Sequence, residues 1–149
     1  MLFRSKKSNS SNNLLEGSND FNAIYKSILD SGEQNSFKAV KKEYSEYVKG
    51  WQTRIEKYGT SFFPEELTDA NIYGNVTMTV KINKLGEIIS VNVINSSGYK
   101  VLDNVAKKVL FSVGEYEPFP RNLAIHADTI SISRIWSFKK KSININKYE

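Results

Sequence analysis

The residues in this chain that could carry chemistry are few and poorly spaced for it. Cysteine is absent and there is one histidine, His126. That removes disulfides, thiolate metal sites and cysteine nucleophiles, and leaves no histidine-rich metal or acid–base centre. Ser96-Ser97-Gly98 has the form of a nucleophile or phosphate loop. No base lies near it in sequence, and a strand-to-helix turn whose serines cap the helix accounts for the same residues. Glu65, Glu66 and Asp69 cluster behind Pro64. Acids in a first helical turn are favoured by the helix dipole and need no reacting partner. His126, beside Asp128, reads as a loop residue. Tyr47, Trp51 and Tyr58 fall at helical spacing and read as core packing, not as a binding stripe. No catalytic residue, metal ligand or cofactor is assigned, and the chain is not expected to be an enzyme.

What remains is binding through the fold. The chain has 149 residues, of which 25% are charged and 40% apolar. That suits one compact domain with flanks. The net charge of +5 is unevenly spread. Residues 37–58 carry six basic and three acidic groups, residues 139–149 four and one, and residues 59–138 seven and eight. The excess cations lie on a helix and a tail, so nucleic-acid binding is not expected. No apolar run is near the about 20 residues that span a bilayer, and no apolar segment follows the basic start to make a secretory signal.

Residues 1–20, rich in Ser and Asn, read as disordered, and 21–43 as a weakly helical linker. Tyr44, Tyr47, Val48, Trp51, Ile55 and Tyr58 form one helical stripe that Gly59 is placed to end. Phe62-Phe63-Pro64 is extended, and Glu65 to Ala70 a short helical turn. The period then changes to two. Val76, Met78, Val80 and Ile82, and then Ile89, Val91 and Val93, predict a hairpin turning at Asn83–Glu87 with one core face. Leu102, Val105, Ala106, Val109, Leu110 and Val113 predict a second amphipathic helix. Ile130, Ile132, Trp136 and Phe138 predict a last strand with Arg134 in the same register. Residues 139–149 read as a basic tail. The expected fold is α+β, in the order α-β-β-α-β: a three-stranded antiparallel sheet with two helices packed on one face.

Over residues 44–138 these pieces resemble the C-terminal domain of the TonB family. Tyr47, Trp51 and Arg54-Ile55-Glu56 are similar to the helix before the family's aromatic-proline step, here Phe63-Pro64-Glu65-Glu66. Gly74-Asn75-Val76 opens the first strand, and Gly86 stands at the hairpin glycine. Ser96-Ser97-Gly98, Leu102-Asp103 and Ala106 follow in order. Pro118-Phe119-Pro120 precedes Arg134-Ile135-Trp136-Ser137-Phe138. The resemblance implies a periplasmic adaptor in the Gram-negative envelope. Such a domain grips the N-terminal peptide of an outer-membrane transporter and passes on energy for uptake of iron chelates or cobalamin. A TolA-like envelope-integrity domain, or a stand-alone remnant that is not energised, are the other readings.

The docking edge is expected on Ile130, Ser131, Ile132, Ser133, Arg134, Ile135 and Ser137, with Glu65, Glu66 and Thr68 beside it. A terminal strand leaves one row of N–H and C=O groups free, and an added peptide strand satisfies them. Trp136 reads as core, while Arg134 reads equally as peptide contact or rim. Full family members add a membrane anchor and a Pro-rich spacer. Three prolines cannot build that spacer, so inner-membrane motor proteins are expected as partners only through an anchor this chain lacks. Exposed strand edges also invite a homodimer by strand exchange.

Overall fold

A computed structural model describes residues 16–147. Its elements run α1 (Glu16–Asp30), a 3-10 turn (Gln34–Ser36), α2 (Phe37–Ser61), α3 (Glu65–Ala70), β1 (Gly74–Asn83), β2 (Ile88–Asn95), α4 (Lys100–Ser112), α5 (Arg121–His126), β3 (Thr129–Lys139) and β4 (Ser142–Lys147). The strands form one antiparallel sheet in the order β2-β1-β3-β4. The α+β class holds, but the sheet has four strands, not three. The fourth is the segment expected as a basic tail: Ile143 and Ile145 are buried, so the alternation in Ser142-Ile143-Asn144-Ile145 outweighs the three lysines before it.

One face of the sheet is apolar. Val76, Met78, Val80 and Ile82 of β1 lie opposite Trp136, Arg134, Ile132 and Ile130 of β3, as the period of two requires. Trp51 of α2 meets Trp136 edge to face, with ring centroids 6.2 Å apart and planes at 83°. Trp51 also lies 6.3 Å from the ring of Tyr116, while Tyr47 packs on Phe119. The aromatic helical stripe is therefore core, and Trp136 is fully buried. Leu102, Val105, Ala106, Val109 and Leu110 bury the matching face of α4.

Three boundaries move. The described part of residues 1–43 is not a linker. α1 packs against β3, and Ile24, Ile28 and Val40 belong to the core. A short amphipathic helix is marginal alone, and here tertiary burial decides. Of the stretch expected to be disordered, residues 1–15 lie outside the described residues, while 16–20 begin α1. In β2 the register shifts between Lys81 and Ile82, pairing Ile82 with Ile88. That bulge leaves Ile89, expected in the core, 54% exposed.

Gly59 does not end α2, which runs on to Ser61. It is buried against β4: a Cβ built there would lie 2.4 Å from Ile143 Cδ1. Its role is close approach of helix and strand. Gly50, in the same helix, has open space at its Cβ position. Gly50→Ala should therefore raise stability by about 0.5–1 kcal/mol, the ordinary helix-interior gain. Gly59→Ala should lose that gain, because Ile143 must move. Urea denaturation of both variants checks this, and equal gains would refute the contact.

Candidate functional site

The site implied by the strand pattern is the outer side of β3, and the structure fills part of it. From Arg134 to Lys139, β3 pairs with Lys147 to Ser142 of β4. The N–H of Ile143 donates to Thr60 Oγ1 (3.3 Å) and that of Ile145 to Glu56 Oε2 (2.6 Å). Those amides point away from β3. Backbone alternation then turns Ser142, Asn144 and Asn146 toward Lys139, Ser137 and Ile135. So Ile135 and Ser137 do present their backbone outward, as a docking edge requires, but β4 meets them. The expectation of a free last strand is corrected for this half of β3, the reason being the unforeseen strand.

β4 is in turn sealed from outside. Besides Glu56 and Thr60, Gln52 Nε2 donates to the Ile145 carbonyl at 3.4 Å, and Gln52 Oε1 accepts from Arg134 Nε at 2.7 Å. Gln52, Glu56 and Thr60 are spaced by four, so they make one stripe on α2. Three backbone groups that would otherwise face a new strand are thereby satisfied by side chains.

The expected site residues divide. Ile130 and Ile132 are buried in the core. Ser131 is half-buried. Ser133 is buried and its Oγ pairs with Thr79 Oγ1 at 2.7 Å, while Ser137 is 8% exposed. Ile135 is half-buried on the opposite sheet face to Trp136. Arg134 is engaged within the protein: besides Gln52, its Nη1 donates to the Ser133 carbonyl at 2.8 Å. Burial lowers its pKa, against the charge interaction with Tyr44. Glu65, Glu66 and Thr68 sit on α3, where Glu66 pairs with Lys108 of α4 at 3.4 Å. The ring of Phe63 lies 6.5 Å from that of Phe138. The acidic segment thus neighbours the Phe138 end of β3, not its whole length.

Two turns differ from expectation. The serines of Ser96-Ser97-Gly98 do not cap α4. Asp103 reaches back instead, accepting from Ser97 N (2.9 Å), Ser97 Oγ (2.7 Å) and Ser96 Oγ. Burial opposes ionisation of Asp103, but these hydrogen bonds outweigh it and hold its pKa below the usual aspartate value. His126 is no loop residue. It ends α5 with its side chain 4% exposed, Nδ1 lying 3.2 Å from Ser27 Oγ and Nε2 3.4 Å from Glu33 Oε1. This clasp ties α1 to α5.

Replacing Glu56 by Ala leaves the Ile145 N–H without its acceptor and should cost about 1–3 kcal/mol. Amide exchange at Ile145 should quicken most, and Glu56→Gln, which keeps an acceptor oxygen, should lose less. For Asp103, a depressed folded pKa means stability present above the unfolded pKa and lost as pH falls through the folded one. Acid titration should show the wild type losing this increment below about pH 4, and Asp103→Asn losing the dependence.

Among the described residues no helix is long and apolar enough to cross a membrane. The model of a family described as Gram-negative bacterial TonB protein C-terminal matches residues 60–139. No curated protein and no solved structure matches the chain. The matched stretch ends where β3 ends. Gln52, Glu56 and all of β4 lie outside it.

Proposed function

We propose, for a chain that belongs to the family of Gram-negative bacterial TonB C-terminal domains, that it is a periplasmic adaptor holding the N-terminal peptide of an outer-membrane transporter as an added strand. The peptide takes the place of β4 on the outer side of β3. The observation that carries this reading is the backbone of Ile135 and Ser137, turned outward and paired, among the described residues, with the six-residue strand β4. A ladder of backbone bonds also resists sliding along its own direction, which suits a contact that is pulled.

On this reading the seats of β4 set what the peptide must bring. β4 buries Ile143 and Ile145, two residues apart, beside Phe138 and Trp136. A replacing strand fills those seats with two apolar side chains at the same spacing. Energy transfer for uptake of iron chelates or cobalamin is the role this capture serves, with the inner-membrane motor as the source.

An amide-shift titration of the full chain with transporter N-terminal peptides tests this. Shifts are expected along Ser131–Lys139, with loss of exchange protection at Ile143 and Ile145. Ile135→Pro, which removes an outward N–H, should abolish binding. A flat titration to millimolar peptide, or binding that leaves β4 protected, would sink the proposal.

A further inference from the structure

We propose that Arg134 reads an acidic side chain in the captured strand, so that the preferred peptide runs apolar-x-apolar-x-Asp/Glu. The inference rests on replacement of β4 by a peptide and adds a charged determinant to its two apolar seats. The charge accounting around Arg134 leads there. Arg134 stands on the core side of β3, in register with Trp136 and Phe138, and is half-buried. Its Nε donates to Gln52 Oε1 and its Nη1 to the Ser133 carbonyl. Both acceptors are neutral, and the planar guanidinium has more donors than these two take. The charge interaction that Arg134 does feel comes from Tyr44, a phenol. Among the described residues no carboxylate forms an ion pair with it. Glu56, one turn along α2 from Gln52, accepts from the Ile145 N–H instead. A guanidinium drawn out of water ordinarily has a carboxylate beside it.

The resident strand supplies the opposite. β4 sets Lys147 directly across from Arg134. That rung alternates with the hydrogen-bonded ones, like Trp136 with Ile145 and Phe138 with Ile143, so it is one of those where side chains lie closest. Two cations facing each other on such a rung repel. β4 reads Ser142-Ile143-Asn144-Ile145-Asn146-Lys147 and carries no acid to offset them.

The position of the mismatch suits exchange. It lies at the end of β4 away from the Lys140-Lys141 link to β3. A strand opens first at the end that no short link holds, and there an incoming strand gains its first rung. A peptide laid antiparallel in the place of β4 meets Phe138, Trp136 and Arg134 in turn with every second side chain. Apolar groups fill the first two seats. Asp or Glu in the third removes the repulsion and adds a charge-assisted bond. Lys or Arg there restores the repulsion, which selects against peptides that are merely apolar and extended.

The test has two arms, both on the full chain. Without peptide, Lys147→Glu should slow amide exchange at Ile145 and Asn146 about three- to tenfold, because a repelling pair becomes an attracting one. In an Arg134→Gln background the same substitution should change exchange little. No slowing, or slowing that persists with Arg134→Gln, would overturn the proposal. For the second arm, Asn144→Pro loosens the resident strand by removing a ladder N–H. Synthetic peptides Ser-Ile-Asn-Ile-Asn followed by Glu, Gln or Lys are then titrated against it by amide shifts. The Glu peptide should bind about tenfold tighter than the Lys peptide, with Gln between. Arg134→Gln should level the three, while Arg134→Lys, which keeps the charge, should keep their order. Equal affinities for the three peptides would overturn the acidic preference and leave strand capture standing. Failure of all three to bind would overturn both.

Discussion

The hydrogen bond from the Ile145 N–H to Glu56 is the point on which the rest of the arrangement turns. A β-strand leaves half its backbone groups facing away from its neighbour, and those groups need a partner or water. For β4 the partners are side chains of α2. That choice fixes where α2 lies, since Gln52, Glu56 and Thr60 can reach one strand edge only if the helix runs along it. It also explains the glycine beneath Ile143: a Cβ at position 59 would hold helix and strand apart.

The same helix face that seals β4 also meets the core. Trp51 lies one residue before Gln52 in α2, and Trp136 lies on β3 between Ile135 and Ser137. Gln52 bonds both Ile145 of β4 and Arg134 of β3. Release of β4 would therefore leave Arg134 its hold on α2, while stripping the cover from Trp136 and Phe138. A large aromatic exposed in this way costs several kcal/mol unless something re-covers it. Departure of β4 and arrival of a replacement are coupled through that surface.

Much of this was legible in the chain, for reasons that can be named. Leu102 to Leu110 and Val76 to Ile82 carry strong periods over many residues, and packing had no reason to overrule them. Residues 21–31 were visible as a helical pattern but not as part of the domain. Whether Ile24 and Ile28 are buried depends on β3 and α2, which are distant in sequence. Ile89 was misplaced because a bulge shifts the face of everything beyond it. The Ile-Asn-Ile alternation of β4 was present but short, and three lysines precede it. The polar stripe on α2 was likewise present at a spacing of four, yet it acquires meaning only once a strand is known to lie beside it. Ile135 and Ser137 were expected within the edge, and the strand that pairs with them was not.

On the proposed reading, that occupant turns capture from addition into exchange. A peptide that replaces β4 forms about as many ladder bonds as it breaks, so the backbone contributes direction and resistance to sliding more than net affinity. What remains is the difference in side-chain burial at the Ile143 and Ile145 seats, set against the tether. Lys140 and Lys141 alone separate β4 from β3, and a strand on so short a link competes at an effective concentration of millimolar order or above. A free peptide must exceed that by better burial. A peptide displayed on a protein in a nearby membrane has its own effective concentration and need not. On this argument the resident strand favours partners that are already held close, and works against stray extended peptides that happen to fit the ladder.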